Sequence, residues 1–162
     1  MINFYSFHGT ITMISDFITG QTGEEGCYKL ITIQDDLGSI ANFVVSPSTY
    51  IVDYIILNIG DRVTGYYDGN APVPFIYPPQ YRALVMVKET SYQQVKVDYF
   101  NNEFESRDGQ LKLTLSPYTQ IVLPNGQPFA KNPGNRNLIV IYGPATKSIP
   151  AQTSPYRIVV WC

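Results

Sequence analysis

The stretch Asn42-Phe-Val-Val-Ser-Pro-Ser-Thr-Tyr-Ile-Val52 recurs further along the chain as Lys112-Leu-Thr-Leu-Ser-Pro-Tyr-Thr-Gln-Ile-Val122. In both copies a short apolar run leads into a Ser-Pro-x-Thr corner, and an Ile-Val pair follows. Proline fixes its own φ and Ser and Thr hydroxyls bond to nearby backbone, so the motif reads as a turn between two strands. Two further blocks repeat in the same order. Asp61-Arg-Val-Thr-Gly-Tyr-Tyr-Asp-Gly-Asn-Ala71 lines up with Asn135-Arg-Asn-Leu-Ile-Val-Ile-Tyr-Gly-Pro-Ala145. Tyr81-Arg-Ala-Leu-Val-Met-Val87 lines up with Tyr156-Arg-Ile-Val-Val-Trp-Cys162. Each block is displaced by roughly 70–75 residues, and three blocks in one order imply an internal duplication. The reading is two tandem units, residues 1–90 and 91–162.

Working outward, the flanking segments carry strand patterns. Gly9-Thr-Ile-Thr-Met-Ile-Ser15 alternates, and Tyr28-Lys-Leu-Ile-Thr-Ile-Gln34 is rich in β-branched residues. The turn Asp35-Asp-Leu-Gly38 leads into Ser39-Ile-Ala-Asn-Phe-Val-Val45. In the second half Val95-Lys-Val-Asp-Tyr-Phe100 and Leu111-Lys-Leu-Thr-Leu115 alternate, with a turn at Arg107-Asp-Gly109 between them. No long segment carries a 3.6-residue period, and twelve Pro and twelve Gly interrupt any extended helix. Residues 50–59 read as a short helix or turn capping one end. The fold class is therefore all-β. Each unit offers about five short strands, and a sheet that small protects its edges best by closing into a small barrel or sandwich.

The order of β-hairpin, Ser-Pro-x-Thr corner, polar loop and closing strand resembles OB-fold-like small β-barrel domains. Leu57-Asn-Ile-Gly-Asp-Arg-Val-Thr-Gly65 carries the resemblance most clearly. It is similar to the Gly-Asp-x-Val that opens a barrel strand in OB-like domains of unknown function from Gram-positive bacteria. The second unit departs from that pattern, with Pro133-Gly-Asn-Arg-Asn-Leu138 in its place. The resemblance implies two tandem OB-like units and brings no activity with it.

Composition narrows the function classes. Of 162 residues 44% are hydrophobic and only 15% are charged, enough for a real core and incompatible with disorder. The net charge of −2 and the scattered Lys and Arg lack the basic face on which nucleic-acid binding depends. Single-stranded nucleic acid, which stacking aromatics could otherwise serve, is therefore the third-ranked partner. No segment approaches the roughly 18 apolar residues of a membrane span. Met1-Ile-Asn-Phe-Tyr-Ser-Phe-His8 lacks a basic stretch followed by an apolar run. The expectation is synthesis in the cytoplasm without a signal peptide, with association at a cell or spore surface left open.

Chemistry is sparse. His8 is the single histidine, so histidine clusters are excluded, and no serine stands in a nucleophile-elbow context. Acidic pairs such as Glu24-Glu25 and Asp35-Asp36 lie in turn-like stretches, and neither zinc spacing nor a calcium loop nor a phosphate-binding loop occurs. The expectation is a protein that is not an enzyme, with no catalytic residues, metal or cofactor. What stands out is Tyr66-Tyr-Asp-Gly-Asn-Ala-Pro-Val-Pro-Phe-Ile-Tyr-Pro-Pro-Gln-Tyr81. Its prolines stiffen it, and rigid aromatics offer contact area at low rotamer cost. Tyr66, Tyr67, Asp68, Asn70, Phe75, Tyr77 and Tyr81 form the candidate contact surface, unless the aromatics fold back to close the barrel mouth. Cys27 and Cys162 are candidates for disulfides between subunits.

Two functions compete. One is a structural, self-assembling subunit of a surface layer, filament or spore-associated material, its partner a further copy of itself. The other is a monomeric carbohydrate- or peptide-binding module using the loop at 66–81.

Overall fold

A computed structural model describes all residues, Met1–Cys162. It contains thirteen strands, a single 3-10 turn at Val52–Tyr54 and no α-helix. The chain divides into two compact units, Met1–Glu89 and Thr90–Cys162.

The first unit comprises β1 (Phe4–Asp16), β2 (Lys29–Gln34), β3 (Ile40–Val45), β4 (Tyr50–Ile51), β5 (Arg62–Asp68), β6 (Gln80–Arg82) and β7 (Val85–Lys88). They form one sheet in the order β4-β7-β5-β1-β2-β3-β6. β1 is long because it serves two partners: residues 4–10 pair with β5 and residues 10–16 with β2, both antiparallel. A register shift between Ile11 and Met13 marks a bulge. Such an extra residue bends a strand and lets it pass from one neighbour to the next. β3 pairs in parallel with β6, whose chain runs on through Ala83 and Leu84 into β7, antiparallel to β5. The sheet does not close into a continuous hydrogen-bonded barrel, because β4 and β6 remain its terminal strands. Inward residues of β1, β2, β3, β5 and β7 build the core around Ile11, Ile31, Ile33, Phe43, Val63 and Met86. Burial of such side chains is the main stabilising term for a unit this size.

The second unit comprises β8 (Gln94–Phe100), β9 (Leu111–Leu113), β10 (Gln120–Val122), β11 (Arg136–Tyr142), β12 (Ala151–Thr153) and β13 (Arg157–Trp161). A four-stranded sheet runs β10-β13-β11-β8, beside a two-stranded β12-β9. Four pairings of the first unit recur here, while those made by β2 do not: β11 is antiparallel to β8 and β13 as β5 is to β1 and β7. β10 is parallel to β13 as β4 is to β7, and β9 is parallel to β12 as β3 is to β6. The position of β2 is taken by a tight segment that makes only isolated bridges, Phe100 to Ser106 and Glu105 to Lys112. The Arg107–Gly109 turn therefore serves this short segment and does not join two paired strands.

The Ser-Pro-x-Thr corners are built alike. In the first, the Ser46 amide donates to Thr49 Oγ1 (3.0 Å), and that hydroxyl donates to the Ala83 carbonyl (2.8 Å). In the second, the Ser116 amide donates to Thr119 Oγ1 (3.4 Å), which donates to the Pro155 carbonyl (2.7 Å). One threonine thus holds both its own turn and the start of the last strand of its unit. This fixes the register. Leu84 and Tyr156 occupy the same place, each donating its amide to the strand opposite, Tyr66 and Ile141 respectively. The Tyr-Arg match in the sequence is therefore three residues out of step. Tyr81 sits opposite Phe43 in the parallel pair, where the second unit has Thr153 opposite Leu113.

Candidate functional site

Alternation along β5 separates the adjacent tyrosines. Tyr66 turns to the opposite face from Tyr67, at the level of Ser6 and Val85 in the flanking strands. Tyr67 turns inward against Tyr81 of β6. Their rings stack at 3.8 Å between centroids, 8° from parallel. Phe43 lies beneath both, edge-on to Tyr67 at 6.0 Å and tilted against Tyr81 at 5.6 Å, and Tyr5 closes the outer side of Tyr67 at 6.0 Å. The group fits because β5 carries Gly65 at the crossing point. A Cβ there would lie 2.7 Å from the Phe43 ring, closer than side-chain atoms pack. Partial burial, followed by a hydrogen bond with Tyr81, pushes the Tyr67 phenol up to about 12.

Above the stacked pair opens a cleft of about 350 Å³, within the range of roughly 300–1,000 Å³ common for ligand pockets. Phe17 and Tyr28, at the two ends of the β1–β2 loop, form one wall. Residues 71–74 of the β5–β6 loop form the other, and Val44 and Ser46 close the end of β3. Asp68, Gln80 and Arg82 are among the residues that line it, together with Ser46. Asp68 Oδ1 accepts the amides of Asn3 (3.0 Å) and Asn70 (2.9 Å), which hold its carboxyl below the ordinary range. Arg82 is exposed and takes part in none of the ion pairs, which involve Lys29, Arg62, Lys88 and Lys96.

Of the seven residues singled out in the sequence, Tyr67, Asp68 and Tyr81 meet in this cleft. Tyr66 faces away. Asn70 lies at the turn and spends its side chain on the Met1 carbonyl (3.1 Å). Phe75 is completely exposed and Tyr77 is 80% exposed, so these two do not fold back over the barrel mouth. Gln80 belongs to the 66–81 stretch itself, while Phe17, Tyr28 and Arg82 join the site from segments whose own sequence carries no binding signal. Only the strand pairing reveals them.

Elsewhere the titratable groups are engaged locally. Arg62 reaches Asp36 (3.1 Å) and Glu89 (3.1 Å), which raise its pKa, and also bonds to His8 Nε2 (3.1 Å). Arginine only donates, so His8 accepts there and offers its Nδ1 proton to Thr64 Oγ1 (2.9 Å). Cys27 and Cys162 are exposed thiols that are not bonded to each other. No group of three or more His, Cys, Asp or Glu gathers to hold a metal, and no helix is long and apolar enough to cross a membrane. Compared with protein-family models and with curated proteins, the chain matches none.

Proposed function

We propose that this chain is a non-catalytic protein of two tandem OB-like units whose first unit binds a carbohydrate or a short peptide. The pairing β1-β2-β3-β6, continued through β7 to β5 and back to β1, supports the OB-like reading. So does its partial repetition in the second unit, with the same threonine corner. The observation that carries the function is the cleft itself: a rigid aromatic floor, with Asp68, Gln80 and Arg82 among the residues around it. Rigid aromatic surface with a few convergent polar groups is what small-ligand sites are made of. Amide chemical-shift mapping with oligosaccharide and peptide libraries tests it. Shifts clustered on residues 67–68 and 80–82 are expected. An unchanged spectrum with both libraries at millimolar concentration overturns it.

A second reading, self-assembly into a structural filament or surface layer, is favoured by one separate observation. Phe75 and Tyr77 stand in solvent with Val73 and Ile76, also exposed, on a proline-stiffened loop. Large apolar side chains grouped in this way mark contact surfaces. Cys27 and Cys162 would cross-link neighbouring copies. Light scattering and negative-stain microscopy, with and without reductant, should then show filaments or rings that reductant loosens. A monomer under both conditions at high concentration removes this reading.

A further inference from the structure

We infer that the ligand of the Tyr67–Tyr81 cleft is a neutral carbohydrate; this rests on the cleft being a binding site. The two units supply an internal control. At the positions of Phe43, Tyr67 and Tyr81 the second unit carries Leu113, Tyr142 and Thr153, and at Asp68 and Arg82 it carries Gly143 and Ser154. Leu113 and Thr153 are nonetheless buried, so the β9–β12 pair closes its core with no stacked aromatics. The stack in the first unit is surplus to what this fold needs.

Tyr67 is covered by Tyr81 on one side and by Tyr5 on the other, so the ring surface left to meet a sugar is that of the half-buried Tyr81. Tyr5, Phe43 and the hydrogen bond between the two phenols lock the pair, so little ordering is left for a ligand to bring about. The polar groups select further. One cation, Arg82, and one anion, Asp68, line the same cleft without forming an ion pair with each other. With the N-terminal ammonium also acting on Asp68, charges of both signs stand at the cleft, and it presents no single-sign field to select a charged ligand. Sugar hydroxyls both donate and accept, and therefore satisfy a carboxylate oxygen, a guanidinium and the Gln80 amide together. A polyanion would need more than the single cation among the lining residues. An extended peptide needs a long free strand edge, and β6 offers three residues.

The test is amide chemical-shift mapping and calorimetry on the full chain with four probes. These are neutral tetrasaccharides of glucose and of N-acetylglucosamine, a galacturonic acid tetrasaccharide, and a proline-rich decapeptide. Binding of a neutral tetrasaccharide is expected, mapped to residues 67–68 and 80–82 and unchanged between 50 and 500 mM salt on the order of the Debye screening range. Arg82→Ala, an exposed change that leaves the aromatic packing alone, should weaken it about tenfold, equivalent to about 1.4 kcal/mol. Tyr81→Ala should abolish it. Binding confined to the peptide or the acidic sugar overturns the carbohydrate assignment and leaves the cleft a site. Silence of every probe overturns both.

Discussion

Gly65→Ala is the sharpest probe of how the aromatic group is built. The added methyl would lie 2.7 Å from Phe43 Cε1 and 2.8 Å from Cζ. Carbon atoms rest at about 3.5–4.0 Å, so ring or strand must give by roughly 0.8 Å. Phe43 has no free side to retreat to, since it is fully buried and packed against both Tyr67 and Tyr81. Overpacking of this kind costs about 1–3 kcal/mol. In a unit of this size that lowers the melting temperature by about 4–8 °C per kcal/mol. The second unit solves the same crossing by exchanging volume: Val140 stands where Gly65 does, and Leu113 where Phe43 does, in one cluster. Phe43→Leu should therefore rescue Gly65→Ala. Urea denaturation of the wild type, both single variants and the double variant gives the coupling, with amide exchange at Val63 assigning it to the first unit. A coupling of about 1 kcal/mol or more is expected. Additivity within about 0.3–0.5 kcal/mol would show that methyl and ring do not compete for one space.

Two further outcomes follow from the hydrogen bonds. Thr49→Val and Thr119→Val keep the shape of the corner but strand an amide and a carbonyl, costing about 1–3 kcal/mol each. Thr→Ser at either position should recover most of that, and valine variants as stable as the wild type would remove the threonine from its structural role. Tyr67 ionises at about 12 when folded against an ordinary value of 10.0. The unfolded chain thus loses this proton first, and the stability it contributes, intact below pH 10, falls between pH 10 and 12. Ultraviolet titration should resolve late tyrosines, since burial raises Tyr142 as well, and Tyr67→Phe should remove the latest of them; ionisation of Tyr67 together with the exposed tyrosines would contradict the packing described.

What the sequence revealed and what it hid divide along the range of the interactions. The Ser-Pro-x-Thr corners were legible because the turn is made within four residues, and the hydroxyl chemistry is local. Tyr67 and Tyr81 were legible because both flank a proline-rich loop. Their stacking was not, since it depends on the parallel register that sets Tyr81 opposite Phe43. The Tyr-Arg pairs at 81 and 156 misled because chemical likeness stood in for position; hydrogen bonding places Tyr156 with Leu84. Phe17 and Arg82 were hidden for the same reason as Gly65. Each looks ordinary in its own segment, and each acquires meaning only from a neighbour many residues away. The exposure of Phe75 and Tyr77 was equally out of reach, because periodicity says nothing of which way a loop swings.

The place of β7 between β4 and β5, and of β13 between β10 and β11, governs how each unit comes together. Both flanking strands precede the inserted one in the chain, so neither unit can zip up outward from a hairpin. Its last ladder forms when a late strand enters a slot between two earlier ones, one side parallel and the other antiparallel. Non-local closure of that kind is slow. Until it happens, β5 and β11 each keep an edge open to any passing strand, and the apolar residues of β7 and β13 stay in water. Yield on refolding is then a race between a four-residue strand, Val85–Lys88, reaching its slot and another molecule reaching it first.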